Sequence, residues 1–291
     1  MSVEGKSISL VLGSGGARGL AHIGVIKWLE ECGYTIESIA GSSIGALVGG
    51  IYALGKLDEF CEWVKAINTV EMIRLLDFSL GKGGLVKGEK IISTLLELTG
   101  DSLIENLPIT FTAVAADIAN EKEVWIQRGP LFDAIRASIS LPLLFTPVER
   151  RGVKLQDGGI LNPVPIAPTF GDHTDLTIAV NLSGPPDLSL NQPVQKSADE
   201  QKENSVFAQK VASFIDSVMP VGEGRSSISM YAIAYQAVDA MQGAIARQKL
   251  AAYPPDRLVE LPRNVCGTLE FDRAEEMIEF GYRLARQQIP E

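Results

Sequence analysis

Short apolar runs recur along the chain between turn-forming residues, and the stretches separating them place their apolar residues three and four apart. The runs at 7–13 (SISLVLG), 37–43 (ESIAGSS), 109–116 (ITFTAVAA), 122–127 (KEVWIQ), 152–159 (GVKLQDGG) and 176–183 (LTIAVNLS) read as strands. Helical spacing predicts helices over 17–32, 44–55, 57–67, 88–98, 131–140, 206–219, 228–253 and 272–288, with Pro142 and Pro147 ending the fifth. Strands that alternate with helices predict an α/β sheet. Glycines within 71–88 mark a loop able to cover a site. Residues 184–204 turn to Pro, Ser, Gln, Asn and charge without apolar periodicity, which predicts a surface loop. The expected organisation is a core over 1–183, a loop or linker at 184–205, and a C-terminal helical extension over 206–291 packed on the same domain.

Composition narrows the partners. With 291 residues, 46% of them apolar, the chain can bury one large core. A net charge of −10 argues against nucleic acid and against electrostatic capture by an anionic membrane, so any lipid or membrane contact is expected to be hydrophobic and transient. Cys32, Cys61 and Cys266 are odd in number and far apart, as reduced thiols are. Together with an N-terminus that lacks the pattern of a secretory signal, they predict a cytoplasmic protein, at most peripheral at the inner membrane surface. The charge-free stretch 38–55 has the minimum length of a membrane span, but its five glycines and three serines read as a buried strand, turn and helix. The apolar C-terminal helices could pair subunits, touch a bilayer or pack on their own sheet, which leaves the oligomeric state open.

The chemistry concentrates in two motifs. GSGGARG (13–19) follows the first strand, and GSSIG (41–45) follows the second, with Ser43 at the centre of a G-x-S-x-G pattern. A serine on a sharp strand-to-helix turn exposes its hydroxyl, and Gly41 and Gly45 remove side chains that would collide there. Ser43 is therefore the candidate nucleophile. Gly15 and Gly16 can direct backbone N–H groups to one point at a helix N-terminus, as an oxyanion hole requires. A dinucleotide reading fails because Arg18 stands where the third glycine belongs and the second strand ends without an acidic residue. A phosphate-binding P-loop fails because no Lys followed by Ser or Thr closes the loop.

A serine nucleophile needs a base, and the chain holds two histidines. His22 lies on the helix after the glycine loop, where a structural role is expected; His173 lies in a polar connection close behind Asp157. A carboxylate can take the proton directly if it is close, ionised and shielded from water. Asp157, with Gly158 and Gly159 behind it, is the candidate, whereas Asp117, Asp172 and Asp175 are equally well read as turn or cap residues. No acidic cluster near Ser43 or Asp157 has the spacing of a calcium site, so neither metal nor cofactor is expected.

Assembled in order, GSGGARG with LAHIGV, GSSIGAL, GGLVKGEKI, IRASISLPLLFTPV and DGGILNPVP resemble the patatin-like phospholipase family, particularly its bacterial members, over residues 8–183. LEFDRAEEMIEFGYRLA resembles the tail of those members. The resemblance implies an α/β fold of three layers, α/β/α, around a central mixed, largely parallel sheet. It implies a Ser43–Asp157 dyad without histidine and an oxyanion hole of Gly15 and Gly16, to which Ile44 adds an N–H. It also implies a loop supported by Arg18 with Gly13 and Gly19. Ser14 departs from the family's run of three glycines. The implied activity is hydrolysis of fatty acyl esters of phospholipids, lysophospholipids or related lipids. Acyl transfer through the same acyl-enzyme and low-turnover lipid binding are the alternatives.

Overall fold

In the computed structural model, residues 5–67, 71, 75, 87–142, 144–191 and 227–290 are described. The helix expected over 206–219 and most of the loop expected within 71–88 lie outside them.

Strand β1 (Ser7–Leu12) shows how the core is built. Successive side chains of a strand point to opposite faces, so Ile8, Leu10 and Leu12 enter the main apolar core while Val11 joins a small cluster with Val164, Ile166, Ala179 and Ala246. Strand β7 (Leu176–Gly184) repeats the division, with Ile178, Val180 and Leu182 on the first face and Ala179 on the second. Both faces of the sheet are thus covered, one by a thick helical layer and the other by a thin one.

The sheet has eight strands. Around β1, the pairs with β2 (Thr35–Ser42) and β7 are parallel, as are β2 with β3 (Thr110–Asp117) and β7 with β8 (Arg257–Pro262). Antiparallel pairs join β3 to β4 (Lys122–Ile126) and to β6 (Val153–Asp157), and β6 to β5 (Val148–Arg150). This is the mixed, largely parallel sheet flanked by helices that the family resemblance implies. Two strands went unforeseen: β5 is only three residues long, and β8 lies in a stretch whose helical neighbours dominate the sequence pattern.

Helices α1 (Ala21–Glu31), α2 (Ile44–Ala53), α3 (Leu57–Ala66), α4 (Glu89–Thr99) and α5 (Leu131–Ser138) follow the predicted order within a few residues. α6 (Ser227–Ala252) and α7 (Ala274–Gln288) complete the chain. α7 packs on α1, where Trp28 donates to the Ile289 carbonyl at 2.9 Å and meets Tyr282 edge to face. The charge-free stretch 38–55 is the buried unit β2–turn–α2, and among the described residues no helix is long and apolar enough to cross a membrane.

Register brings the end of β2 beside the end of β6. Val114 of β3 pairs with Ser42, and the next residue, Ala115, pairs with Asp157. Ala113 and Val114 carry both β2 and β4, and Ala115 to Asp117 carry both β4 and β6. A strand has two edges, so β2 and β6 share one edge of β3, end to end. β2 stops at Ser42, and β6, running antiparallel to β3 along the same edge, ends at Asp157 beside it.

Candidate active site

Ser43 occupies that junction. Its φ of 55° and ψ of −125° put a residue with a side chain in a region that favours glycine, at a cost of about 1–3 kcal/mol. The strain is held from several sides. The Ser43 N–H donates to Ser138 Oγ at 2.9 Å, and Ser138 Oγ donates to the Val114 carbonyl at 2.6 Å. A Cβ on Gly45 would stand 2.1 Å from the Leu12 carbonyl oxygen, and one on Gly41 would stand 2.5 Å from the Ala46 nitrogen. Glycines at both positions let α2 turn back tightly against β1 and β2.

The Ser43 hydroxyl donates to Asp157 Oδ2 at 2.5 Å. Asp157 Oδ1 accepts the Gly159 N–H at 2.7 Å, and the Asp157 N–H donates to the Ser140 carbonyl at 3.0 Å. The carboxylate is 1% exposed. Burial pushes its pKa up to about 7, against the opposing pull of the bonds from Ser43 and Gly159. A carboxyl group that titrates near neutrality and receives a serine hydroxyl can act as a proton acceptor at pH 7 and return the proton afterwards.

The glycine loop lies beside them. Gly13, Ser14 and Ala17 commit their N–H groups to the carbonyls of Val180, Pro163 and Thr268, and Gly15 and Gly16 between them make no such bond among the described residues. Gly16 has a φ of 58°, and a Cβ there would collide with Thr268 at 2.0 Å. Gly15 backs onto Leu182, and Gly19 lies against the Ile44 side chain. Ile44 opens α2, where the first N–H groups of a helix have no partner within it. Arg18, 3% exposed, donates to the Arg263 carbonyl at 2.9 Å and to Asp239 at 2.6 Å.

The histidines are elsewhere in role or place. His22 is fully buried and bonds the Gly13 carbonyl through Nε2 at 2.9 Å; a carbonyl only accepts, so this nitrogen carries the proton. Burial lowers its pKa to about 4, leaving it neutral. It supports the loop. His173 is exposed, in the connection leading into β7, where Asp175 bonds Ser7 at the start of β1. That is the opposite end of the parallel strands from Ser43, roughly 20 Å away at about 3.3 Å per residue. Asp172 and Asp175 lie at that end too, and Asp117 is engaged by Asn120.

Gly16, Ser43, Ile44 and Asp157 open onto one cavity of about 100 Å³. The rest of its lining is almost wholly apolar, including Phe60, Trp63, Leu95, Leu144 and Phe145. Sequence reasoning missed Ser138 and Ser140, which are fully buried at and just beyond the end of α5; the available signal was Ser138 three and four residues after Ile135 and Ala134, in line with the apolar positions of that helix. It also missed Asp239, which no motif marks. Among the described residues, no group of three or more His, Cys, Asp or Glu side chains is placed to hold a metal ion.

Comparison with known proteins identifies the family. The sequence profile of "Patatin-like phospholipase" matches residues 10–170, which contain Ser43 and Asp157. An uncharacterized NTE family protein of Mycobacterium tuberculosis is 40% identical over 99% of this chain and 94% of its own length, and one of Mycobacterium bovis matches to the same extent. Lysophospholipase NTE1 of Coccidioides immitis is 29% identical over 97% of this chain, which spans 18% of that protein. The crystal structure of VipD from Legionella pneumophila is similar at a TM-score of 0.43 and 15% identity, over 97% of this chain and 67% of that one. The chain belongs to the patatin-like phospholipase family.

Proposed function

We propose that this protein is a serine acyl hydrolase that cleaves fatty acyl esters of phospholipids, lysophospholipids or related lipids. The observation that carries the reading is the 2.5 Å hydrogen bond from the Ser43 hydroxyl to a buried Asp157 carboxylate, set in an apolar cavity. Family membership supports a lipid hydrolase, and the relative bearing the name lysophospholipase supports the substrate class.

In this reading the Ser43 oxygen attacks the ester carbonyl as Asp157 takes its proton. Negative charge develops on the carbonyl oxygen, next to the N–H groups of Gly15, Gly16 and Ile44 and the positive end of the α2 dipole. The carbon–oxygen bond to the alcohol breaks, Asp157 protonates the leaving alcohol, and the acyl group remains on Ser43. Water then attacks the acyl-enzyme, Asp157 takes its proton, and Ser43 leaves with a proton as the fatty acid is released. The apolar lining receives the acyl chain and keeps bulk water from the carboxylate. No histidine is needed because burial has already brought the carboxylate's basicity near neutrality.

The test is hydrolysis of p-nitrophenyl esters from butyrate to palmitate by the wild type and Ser43→Ala side by side. Serine-dependent turnover is expected, with a preference for medium or long chains. Equal turnover by the two proteins would defeat the reading. Product analysis with an added alcohol or lysolipid separates hydrolysis from acyl transfer.

A further inference from the structure

Helix α6 lies outside the stretch matched by the family profile, yet one of its faces reaches both loops of the site. Asp239, Gln242, Ala246 and Lys249, spaced three, four and three apart, form a single stripe. Asp239 accepts from Arg18 at 2.6 Å. The Gln242 side-chain nitrogen stands 2.9 Å from where a Cβ on Gly159 would be, and the Gly159 N–H holds Asp157. Ala246 is fully buried against the thin side of the sheet. Lys249 pairs with Glu123 at 2.5 Å, Glu123 accepts from the Asn162 side chain, and the Asn162 N–H bonds the Gly158 carbonyl.

Arg18 is the sharpest of these links. It follows Gly16 by two residues, its side chain is 4% exposed, and its Nε has no partner among the described residues. A buried guanidinium needs a counter-charge, and Asp239 stands in direct contact with it. We infer that Asp239 is a positioning residue for the Ser43 site: through Arg18 it fixes the glycine loop, so that α6 holds the oxyanion hole in its working shape. This inference rests on the acyl-hydrolase reading.

The test uses Asp239→Asn, which keeps the shape and removes the charge, and Asp239→Ala. Both are assayed in the full chain on p-nitrophenyl decanoate beside wild type, Ser43→Ala and Asp172→Asn, below each protein's melting transition. Loss of one oxyanion donor costs on the order of a hundredfold to a thousandfold, and a displaced loop costs part of that. We expect kcat to fall roughly tenfold in Asp239→Asn and roughly a hundredfold in Asp239→Ala, with KM changed by less than about threefold. Phosphonylation of Ser43 by a fluorophosphonate should slow in parallel with kcat, the pH midpoint of kcat/KM should stay in place, and Asp172→Asn should match wild type. Wild-type kcat in both Asp239 variants overturns the inference. So does a shifted pH midpoint, which would put the effect on Asp157, or full turnover by the folded fraction of a destabilised variant. Turnover that persists in Ser43→Ala overturns the acyl-hydrolase reading itself and this inference with it.

Discussion

The glycine loop and the turn that carries Asp157 face the same serine, yet they are held in place by different means. Asp157 is placed by sheet register: it pairs with Ala115, the residue after the partner of Ser42, so its approach to Ser43 follows from strand pairing. The glycine loop depends on residues far along the chain, through Ala17 to Thr268, Arg18 to Arg263 and Arg18 to Asp239. Charge differs as well. Among the described residues, the turn buries one carboxylate with no cation bonded to it, whereas the loop buries a guanidinium with a carboxylate against it. Burial without a counter-charge raises the basicity of Asp157, and Arg18 is paired with Asp239, the inferred strut.

The largest break in this comparison should come from Asp157→Asn, which preserves size and removes the proposed proton acceptor. We expect turnover to fall by roughly a thousandfold or more, a large share of what general-base catalysis supplies. Next comes Gly16→Ala, which sets a side chain at positive φ and against Thr268. Loss of oxyanion geometry should lower kcat on the order of a hundredfold, and steady-state kinetics will show whether KM is spared. Ser138→Ala removes the acceptor for the Ser43 N–H. It should destabilise the fold by about 1–3 kcal/mol in urea unfolding, the usual cost of leaving a buried donor unmade.

The subtlest prediction concerns stability against pH. Asp157 has a folded pKa of about 7, above its ordinary 3.8, so the folded state holds the proton more tightly. Its contribution is greatest at low pH and is lost as pH rises from about 4 to about 7. His22 has a folded pKa of about 4, below its ordinary 6.5, so its contribution is present above 6.5 and lost as pH falls to about 4. The two slopes oppose each other across much of the same window. Asp157→Asn should unmask the His22 slope, with stability rising with pH. His22→Gln should unmask the Asp157 slope, with stability falling, and unfolding curves between pH 4 and 8 check both.

The comparison also explains what the sequence made legible. β1, the glycine loop, β2, Ser43 and α2 are contiguous, and each carries a local signal: an apolar run, a glycine cluster or helical spacing. Asp157 was reachable because a strand ended in Asp-Gly-Gly and the histidines were few. Ser138 and Asp239 were not reachable in this way, since a hydrogen bond across the core and an ion pair between residues 221 positions apart leave no periodic trace. β5 and β8 escaped at the two margins of the sheet, β5 because three residues carry no pattern of their own and β8 because helical spacing on both sides of it dominates the sequence. His22 could be assigned a structural role from its helix, but its bond to the Gly13 carbonyl needed the fold.

The most direct test of the account is kcat/KM for p-nitrophenyl decanoate from pH 5 to 9, measured on wild type and Asp157→Asn. Wild-type activity should rise with pH through a midpoint near 7, as ionisation of Asp157 in the free enzyme requires, and the variant should show neither that rise nor more than a small residue of the activity. Wild-type rates in Asp157→Asn, or an unchanged midpoint in it, would contradict the dyad.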